Sequence, residues 1–389
     1  MANDMTLTKM ATVLNTLQNQ VTGKTNIAAT DISSFIAQAQ TTLKTGYDPV
    51  MGAISQVLSN TIFSTRPYTA KFKGLRKTNQ QFGNHIRKLQ TIDKDLVDSK
   101  YLDLTDGESI DQYTVRKPEV LQTNFYGIDY FGDYLTIFDR QLDVAFTTPQ
   151  ELERFWSMVL GNMSDKLEQA RETADRATLT NFIAAKINIA GDGVVHLVTE
   201  YNAAMGTKLT SATVLHPDNF KPFIQWAYAR IQYLCSMLTE RTEMYHLNIT
   251  GKAIKRHTPY NRMKAYMYTP LQYRTKTSIF TDAFNDGYYK LIDHEDVNFW
   301  QSAKTPGSIN VTPSYIGADG AVAVAPEAVS NDNVFGVIFD EEAIGITEVG
   351  RSVKRTPYNA AGEYSNIWYR FNQRYWNDVT ENGIVLLLD

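Results

Sequence analysis

Cysteine is nearly absent from this sequence, because Cys235 is the only one among 389 residues. A single thiol excludes an internal disulfide framework and any metal cluster held by several thiolates. Long apolar runs are absent as well, since the longest, at residues 384–388, falls far below the ~18 residues that span a bilayer. The first 30 residues contain Lys9 and Lys24 but lack the apolar stretch of a secretory signal peptide. We therefore expect a protein that is made in the cytoplasm and does not span a membrane.

Net charge is also small, because 38 basic residues are balanced by 42 acidic ones and the sum is −4. This balance excludes a chain that binds nucleic acid over its whole surface. Residues 66–90, however, contain seven basic and no acidic side chains, and residues 91–111 contain seven acidic side chains against two lysines. This is either a solvated loop or a self-complementary arm whose basic side docks on an acidic surface of a neighbouring copy. The candidate contacts are Lys71, Lys73, Arg76, Lys77, Arg87, Lys88, Asp93, Asp95 and Asp98.

A second basic segment, residues 247–276, has seven basic and no acidic side chains, with four tyrosines between them. Basic charge combined with aromatic rings is typical of single-stranded nucleic-acid binding. Residues 282–296 are acidic, so a basic stretch is again followed by an acidic one. The repeated alternation favours contacts between subunits, and nucleic-acid binding through 247–276 is the alternative. The candidate contacts here are Lys252, Lys255, Arg256, Arg262 and Lys264.

Catalytic and metal-binding motifs are missing. The six histidines form neither an HExxH pair nor a Cys/His cluster. Residues 23–25 end like a phosphate-binding loop, but Gln18 stands where the first glycine is required. Residues 282–287 are similar to a calcium loop, but Phe284 occupies a ligand position. We expect no catalytic residue, metal or cofactor, and an enzyme of unrecognised class is a third hypothesis.

The sequence of the first third of the chain is not typical of a compact domain. Residues 1–63 are polar, nearly uncharged and poor in large apolar side chains, so we interpret them as a helical arm that packs on something else. Alternation of Tyr68, Ala70 and Phe72 with polar residues predicts a half-exposed strand. Asp106 and Gly107 mark a turn. Residues 64–147 therefore suit a long polar hairpin better than a compact sheet.

One long helix dominates the middle of the chain. Residues 148–151, Thr-Pro-Gln-Glu, form a capping box with proline at the first helical position. Apolar side chains then recur on one face from residue 152 to residue 177. This predicts a helix from about 149 to 186, on the order of 55 Å long. A second helix is predicted to begin at residues 216–218 and to run to 238. Strands are predicted at 194–195, 213–215, 334–339, 343–347 and 365–378 and at the C terminus, and residues 247–330 are predicted to be an irregular, turn-rich β region.

Several short sequence motifs point to a known protein family. They are VIFD at 337–340, AIG at 343–345, YNAAG at 358–362, RYWND at 374–378, ENG at 381–383, TGYDPV at 45–50 and the run at 115–126. Together with the order of segments, they resemble the major capsid proteins of tailed bacteriophages. That resemblance implies an α+β fold of the HK97 type, with an N-arm, an extended E-loop hairpin, a long spine helix and an axial domain.

The resemblance also implies a division of the chain. The N-arm would be residues 1–63, and the E-loop 64–130. The peripheral domain would be 131–212, with the spine helix at about 149–187. The axial domain would be 213–343, the return to the peripheral domain 344–378, and the strand that rejoins the axial domain 379–389.

The implied function is structural. Hexamers and pentamers of the chain would close an icosahedral head in the bacterial cytoplasm around double-stranded DNA, which the inner face would contact without sequence specificity. Only about 60 nearly neutral residues precede the E-loop, so we expect a separate scaffolding protein rather than a cleavable scaffold segment. A portal and a decoration protein are the other implied partners, and the expected location is the virion.

Overall fold

The structure is a computed structural model of the chain, and it describes only part of the residues. The described residues are 71–77, 85–92, 104–109, 113, 115, 117, 119–145, 149–249, 251, 254–279 and 293–389. The predicted helices of the arm at 1–63 lie outside them. So do four candidate contacts, Asp93, Asp95, Asp98 and Lys252.

The described residues fold into two compact units. Of the described residues, those at 71–77, 128–145, 149–175 and 347–374 belong to the first unit. Those between 85 and 127, between 176 and 346, and at 375–389 belong to the second. The division into arm, E-loop, peripheral and axial domains stays a prediction.

Helices and strands both contribute substantially to the described chain. Its α-helices are α1 (Asp139–Ala145), α2 (Pro149–Ile189), α3 (Leu197–Met205), α4 (Pro217–Thr239) and α5 (Thr269–Ile279). Its longer strands are β1 (His85–Ile92), β2 (Glu119–Tyr126), β3 (Asp129–Phe138), β5 (Met263–Tyr268), β11 (Val334–Asp340), β12 (Ile344–Arg355), β13 (Tyr364–Asn377) and β14 (Gly383–Leu387). The short strands are β4 (Val194–His196), β6 (Glu295–Val297), β7 (Ile309–Val311), β8 (Ser314–Ile316), β9 (Val322–Val324) and β10 (Val329–Asn331).

The predicted long helix is confirmed as α2, which has 41 residues and is therefore about 60 Å long. It begins at Pro149, where a fixed φ and a missing N–H cost nothing in the first turn. The predicted second helix is confirmed as α4, which also begins at a proline, Pro217. No helix among the described residues is long and apolar enough to cross a membrane.

The first unit contains a sheet in the order β12-β13-β3. Strands β13 and β3 are antiparallel over ten residue pairs, from Tyr364 with Phe138 to Gln373 with Asp129. On one face of the sheet, Phe131 stacks on Phe371 with their ring centroids 5.0 Å apart. Arg171 of α2 lies over the Phe371 ring at 5.3 Å, so α2 contacts this face.

The second unit is built on a five-stranded sheet in the order β4-β14-β11-β5-β6. Its central strands β11 and β14 are buried along their whole length, which explains their nearly continuous apolar sequence. Helices α3 and α4 pack on this sheet and supply half of the buried core cluster, including Phe223, Ile231 and Leu234. Strands β1 and β2 form a separate two-stranded antiparallel hairpin in this unit.

Three sequence-based predictions of local structure are wrong. Residues Thr213–Leu215 form a 3-10 helix, not a strand, because the Thr210 and Thr213 hydroxyls bond nearby backbone groups and so favour a turn. Phe72 precedes a 3-10 helix at Lys73–Leu75 rather than lying in a strand, and it is buried with Leu75. Helix α5 lies within the region predicted as irregular β structure, with Leu271, Gln272 and Thr275 buried on its inner face.

Gly345 in β12 offers a direct test of packing in the second unit. A Cβ at this position would lie 2.0 Å from Cζ2 of Trp376, so the rigid indole ring would have to move. We expect Gly345→Ala to lower the free energy of unfolding by about 1–3 kcal/mol and to shift the tryptophan fluorescence. Urea unfolding measures the change. Gly350→Ala is the matched control in the same strand, because nothing lies within 4 Å of the added Cβ; equal effects of the two variants would contradict the packing argument.

Candidate functional site

The basic residues at 71–77 divide into exposed and bonded side chains. Lys71 and Lys73 are exposed. Arg76 instead contacts two carboxylates of α2, with its Nη1 2.9 Å from Glu168 Oε1 and its Nη2 2.9 Å from Asp175 Oδ2. Asp175 is fully buried, and this burial raises its pKa to about 6 despite the opposing effect of Arg76. Arg76 therefore fixes this segment to α2 within the first unit.

The hairpin of β1 and β2 has two different faces, because successive side chains of a strand point to opposite sides. Arg87, Leu89 and Thr91 are exposed on one face. Across the ladder, Val120 pairs with Thr91, and Gln122 pairs with Leu89. Leu89 and Val120 are 62% and 55% exposed, and both lie on this face. We call this side the outer face, and it also carries Gln122, Asn124 and Tyr126.

The opposite, inner face carries Lys88 and Gln90 toward a turn near the C terminus, residues 378–382, which we call the docking turn. The Nζ of Lys88 lies 2.7 Å from Oδ2 of Asp378 and also contacts the Glu381 carboxylate. Gln90 donates a hydrogen bond of 3.1 Å to Oε1 of Glu381. Phe125 of the same face lies near Trp376, with ring centroids 6.4 Å apart.

Arg256 reaches the same turn from another loop. Its Nη1 lies 2.6 Å from Oε1 of Glu381. Its Nη2 donates to Oε1 of Gln90 at 2.5 Å and to Oγ1 of Thr380 at 3.3 Å. Gln90 thus joins Arg256 and Glu381, and the three side chains form a closed network.

Burial acts to raise the pKa of both carboxylates of the docking turn, but the net shifts differ in direction. Burial raises the pKa of Glu381, and Lys88 and Arg256 offset this only in part. Burial also acts to raise the pKa of Asp378, but Lys88 and the hydrogen bonds from Thr380 outweigh it and hold this pKa below its usual range. Asp378 is therefore the firmly ionised partner of Lys88.

Lys186, near the end of α2, is buried beneath the same turn. Its Nζ donates to the main-chain carbonyls of Tyr245, Val379 and Glu381 at 2.9, 3.2 and 3.3 Å. Burial lowers the pKa of Lys186 to about 7, against the opposing effect of Asp378 and Glu381. This lysine holds the backbone of the turn in place and was not among the sequence-based candidates.

The remaining candidates of the 247–276 segment do not form one basic strip. Arg262 pairs with Glu341 and Glu342 at 2.8 and 2.6 Å. Lys264 is half-buried in β5. Burial raises the pKa of Glu295, and the charge of Lys264 acts to lower it. Lys255 is exposed. With Arg256 and Arg262 bonded to carboxylates, the structure does not favour the nucleic-acid alternative.

Nucleophilic and metal chemistry finds little support among the described residues. Cys235 is buried in α4, and burial raises the pKa of its thiol to about 11, so the reactive thiolate is disfavoured. The described residues contain no group of three or more His, Cys, Asp or Glu side chains placed to hold a metal ion.

Comparison with protein families identifies the chain. The model of the Phi29-like phage major capsid protein family matches residues 10–387. The chain belongs to this family. The capsid protein therefore has a structural role, and its location is the virion. A search of curated protein sequences finds no match.

Solved structures agree on the fold. The capsid structure of Staphylococcus phage Andhra contains a chain that is 11% identical, with a TM-score of 0.54, over 85% of the capsid protein and 87% of that chain. A structure of native bacteriophage P68, with its head fiber and inner core protein gp22, contains a chain with the same identity, TM-score and coverage. The α+β fold of the HK97 type implied by the sequence resemblance is confirmed.

The pairing of Arg76 with Asp175 predicts a large effect on stability. Arg76→Met would leave a fully buried carboxylate without its cation, so we expect the free energy of unfolding to fall by about 3 kcal/mol. Urea unfolding of the unassembled capsid protein measures this. Lys73→Met, in the same segment but exposed, is the control. Comparable losses in both variants would count against the ion pair as the cause.

The buried Lys186 predicts a pH dependence. Because its pKa falls from 10.5 in the unfolded chain to about 7 in the fold, the unfolded chain binds more protons above pH 7. The contribution of Lys186 to stability must then rise with pH. We expect the wild-type melting temperature, relative to that of Lys186→Met, to increase between pH 7 and pH 9. Parallel curves over this range would show that Lys186 stays charged in the fold.

Proposed function

We propose that the capsid protein assembles as hexamers and pentamers into an icosahedral head that encloses double-stranded DNA. The family match over residues 10–387 is the observation that supports this best. Closed rings need different complementary patches on one subunit, and a chain with segregated charge and a net charge of −4 suits such contacts. The proposed role is structural, without catalytic activity or a cofactor.

The proposal extends to the domains and partners. Residues 1–63 would be the N-arm, 64–130 the E-loop, and α2 the spine helix of the peripheral domain, with the axial domain at 213–343. A separate scaffolding protein, a portal and a decoration protein would act with the capsid protein. DNA would contact the inner face of the shell without sequence specificity.

The proposed contacts between subunits are made by candidate side chains that are exposed in the subunit. Lys71, Lys73 and Arg87 are exposed. Arg76 and Lys88 have carboxylate partners within the chain, so reversing their charge would damage the subunit itself. A charge reversal at Arg87 therefore tests assembly with less effect on folding than a reversal at Arg76 or Lys88.

Negative-stain microscopy tests the function directly. The capsid protein is expressed alone and with the neighbouring phage genes, and we expect closed shells, tubes or ring-shaped capsomers. A monodisperse monomer under both conditions would contradict a self-assembling shell subunit.

The E-loop contact has its own variant. We expect Arg87→Glu to reduce the yield of shells at least tenfold while the subunit unfolds at the wild-type urea midpoint, because the exposed charge contributes to docking rather than to folding. Lys304→Glu, which reverses another exposed charge of the second unit, is the control. Normal shells from Arg87→Glu would exclude a role for this arginine in docking.

A further inference from the structure

The hairpin of β1 and β2 is too small to be stable alone. In the described chain its two strands hydrogen-bond to each other and to no other strand, and an isolated two-stranded hairpin is marginal in water. Its outer face also exposes Leu89, Val120 and Tyr126. Something on the inner face must therefore hold the hairpin in a defined direction.

Several hydrogen bonds hold the docking turn without involving the hairpin. Oδ1 of Asp378 accepts hydrogen bonds from the backbone N–H and the hydroxyl of Thr380, at 3.0 and 2.6 Å. The backbone N–H of Asp378 donates to the carbonyl of Ala343 at 2.7 Å. With Lys186 on the carbonyls of Val379 and Glu381, these bonds fix the turn without any contribution from the hairpin.

The docking turn carries two negative charges, and Lys88 of the hairpin contacts both. Asp378 and Glu381 have side chains that are 0% and 9% exposed, and Lys88 contacts both. Arg256 supplies a second cation to Glu381 only. Removal of Lys88 would leave Asp378 with hydrogen bonds from Thr380 but without the cation that lies 2.7 Å away, a costly state for a buried carboxylate.

We propose that the docking turn is a latch that holds the hairpin of its own chain in the unassembled subunit, with Lys88 as the closing contact and Gln90 as a neutral second contact. The latch fixes the direction of the hairpin before any neighbour is present. It also keeps the outer face turned away from the subunit. That this face then meets a second copy rests on the proposed function; the latch itself does not.

Hydrogen–deuterium exchange on the unassembled subunit tests the latch independently of shell formation. We expect Lys88→Met to accelerate exchange at the amides of β1 and β2 by roughly tenfold or more, because the hairpin then opens locally. Exchange in β11 and β14 should not change. Arg87→Met is the matched control, since it removes the adjacent cation of the same strand from the outer face, and we expect less than about a twofold change.

Gln90→Leu keeps the experiment decisive if Lys88→Met fails to fold. This variant removes the hydrogen bonds to Glu381 and from Arg256, but Lys88 still pairs with both carboxylates. We expect a smaller acceleration of exchange, confined to β1 and β2. Unchanged hairpin exchange in a folded Lys88→Met, or in Gln90→Leu where the former does not fold, overturns the latch. So does equal acceleration in Arg87→Met. Absence of shells with normal latch behaviour would instead count against the proposed function.

Discussion

Two buried carboxylates on one tight turn, Asp378 and Glu381, join distant segments of the second unit. A buried charge must be matched by a cation or by several hydrogen bonds, and here the matching groups come from distant parts of the chain. Lys88 arrives from the hairpin and Arg256 from the loop before β5. Lys186 arrives from the end of α2 and binds the backbone of the turn rather than its side chains. Four separate segments are thereby brought to one place.

The same principle operates in the first unit on a smaller scale. Arg76 joins the short 71–77 segment to Asp175 and Glu168 of α2. In both units, a basic residue of the N-terminal third bonds carboxylates of its own subunit. Within β1, alternation places Arg87 on the exposed side. Neighbouring residues of one strand therefore have different surroundings, because Arg87 is exposed whereas Lys88 contacts Asp378.

Long, regular patterns in the sequence predict structure well. The helix of 149–186 and the strands of 334–339 and 365–378 agree with α2, β11 and β13. The helix has a repeating apolar face, and β11 is a short, continuous apolar run, typical of a buried strand. The 213–215 prediction fails because side-chain hydroxyls, not hydrophobic pattern, decide that turn. The docking turn could not be predicted from the pattern, since Lys88 and Asp378 are 290 positions apart. Alternation places Arg87 and Lys88 on opposite faces, but only the distant carboxylate decides which face is inward.

The lone cysteine has a practical consequence. Cys235 is the only thiol in the whole sequence, it lies in the apolar core of the second unit, and its raised pKa keeps it protonated at neutral pH. A maleimide reagent reacts with accessible thiolate, so the native chain should remain unlabelled under mild conditions. Any cysteine introduced on the surface then becomes a unique attachment point, and dyes or heavy atoms can be placed on the subunit without first removing the natural residue.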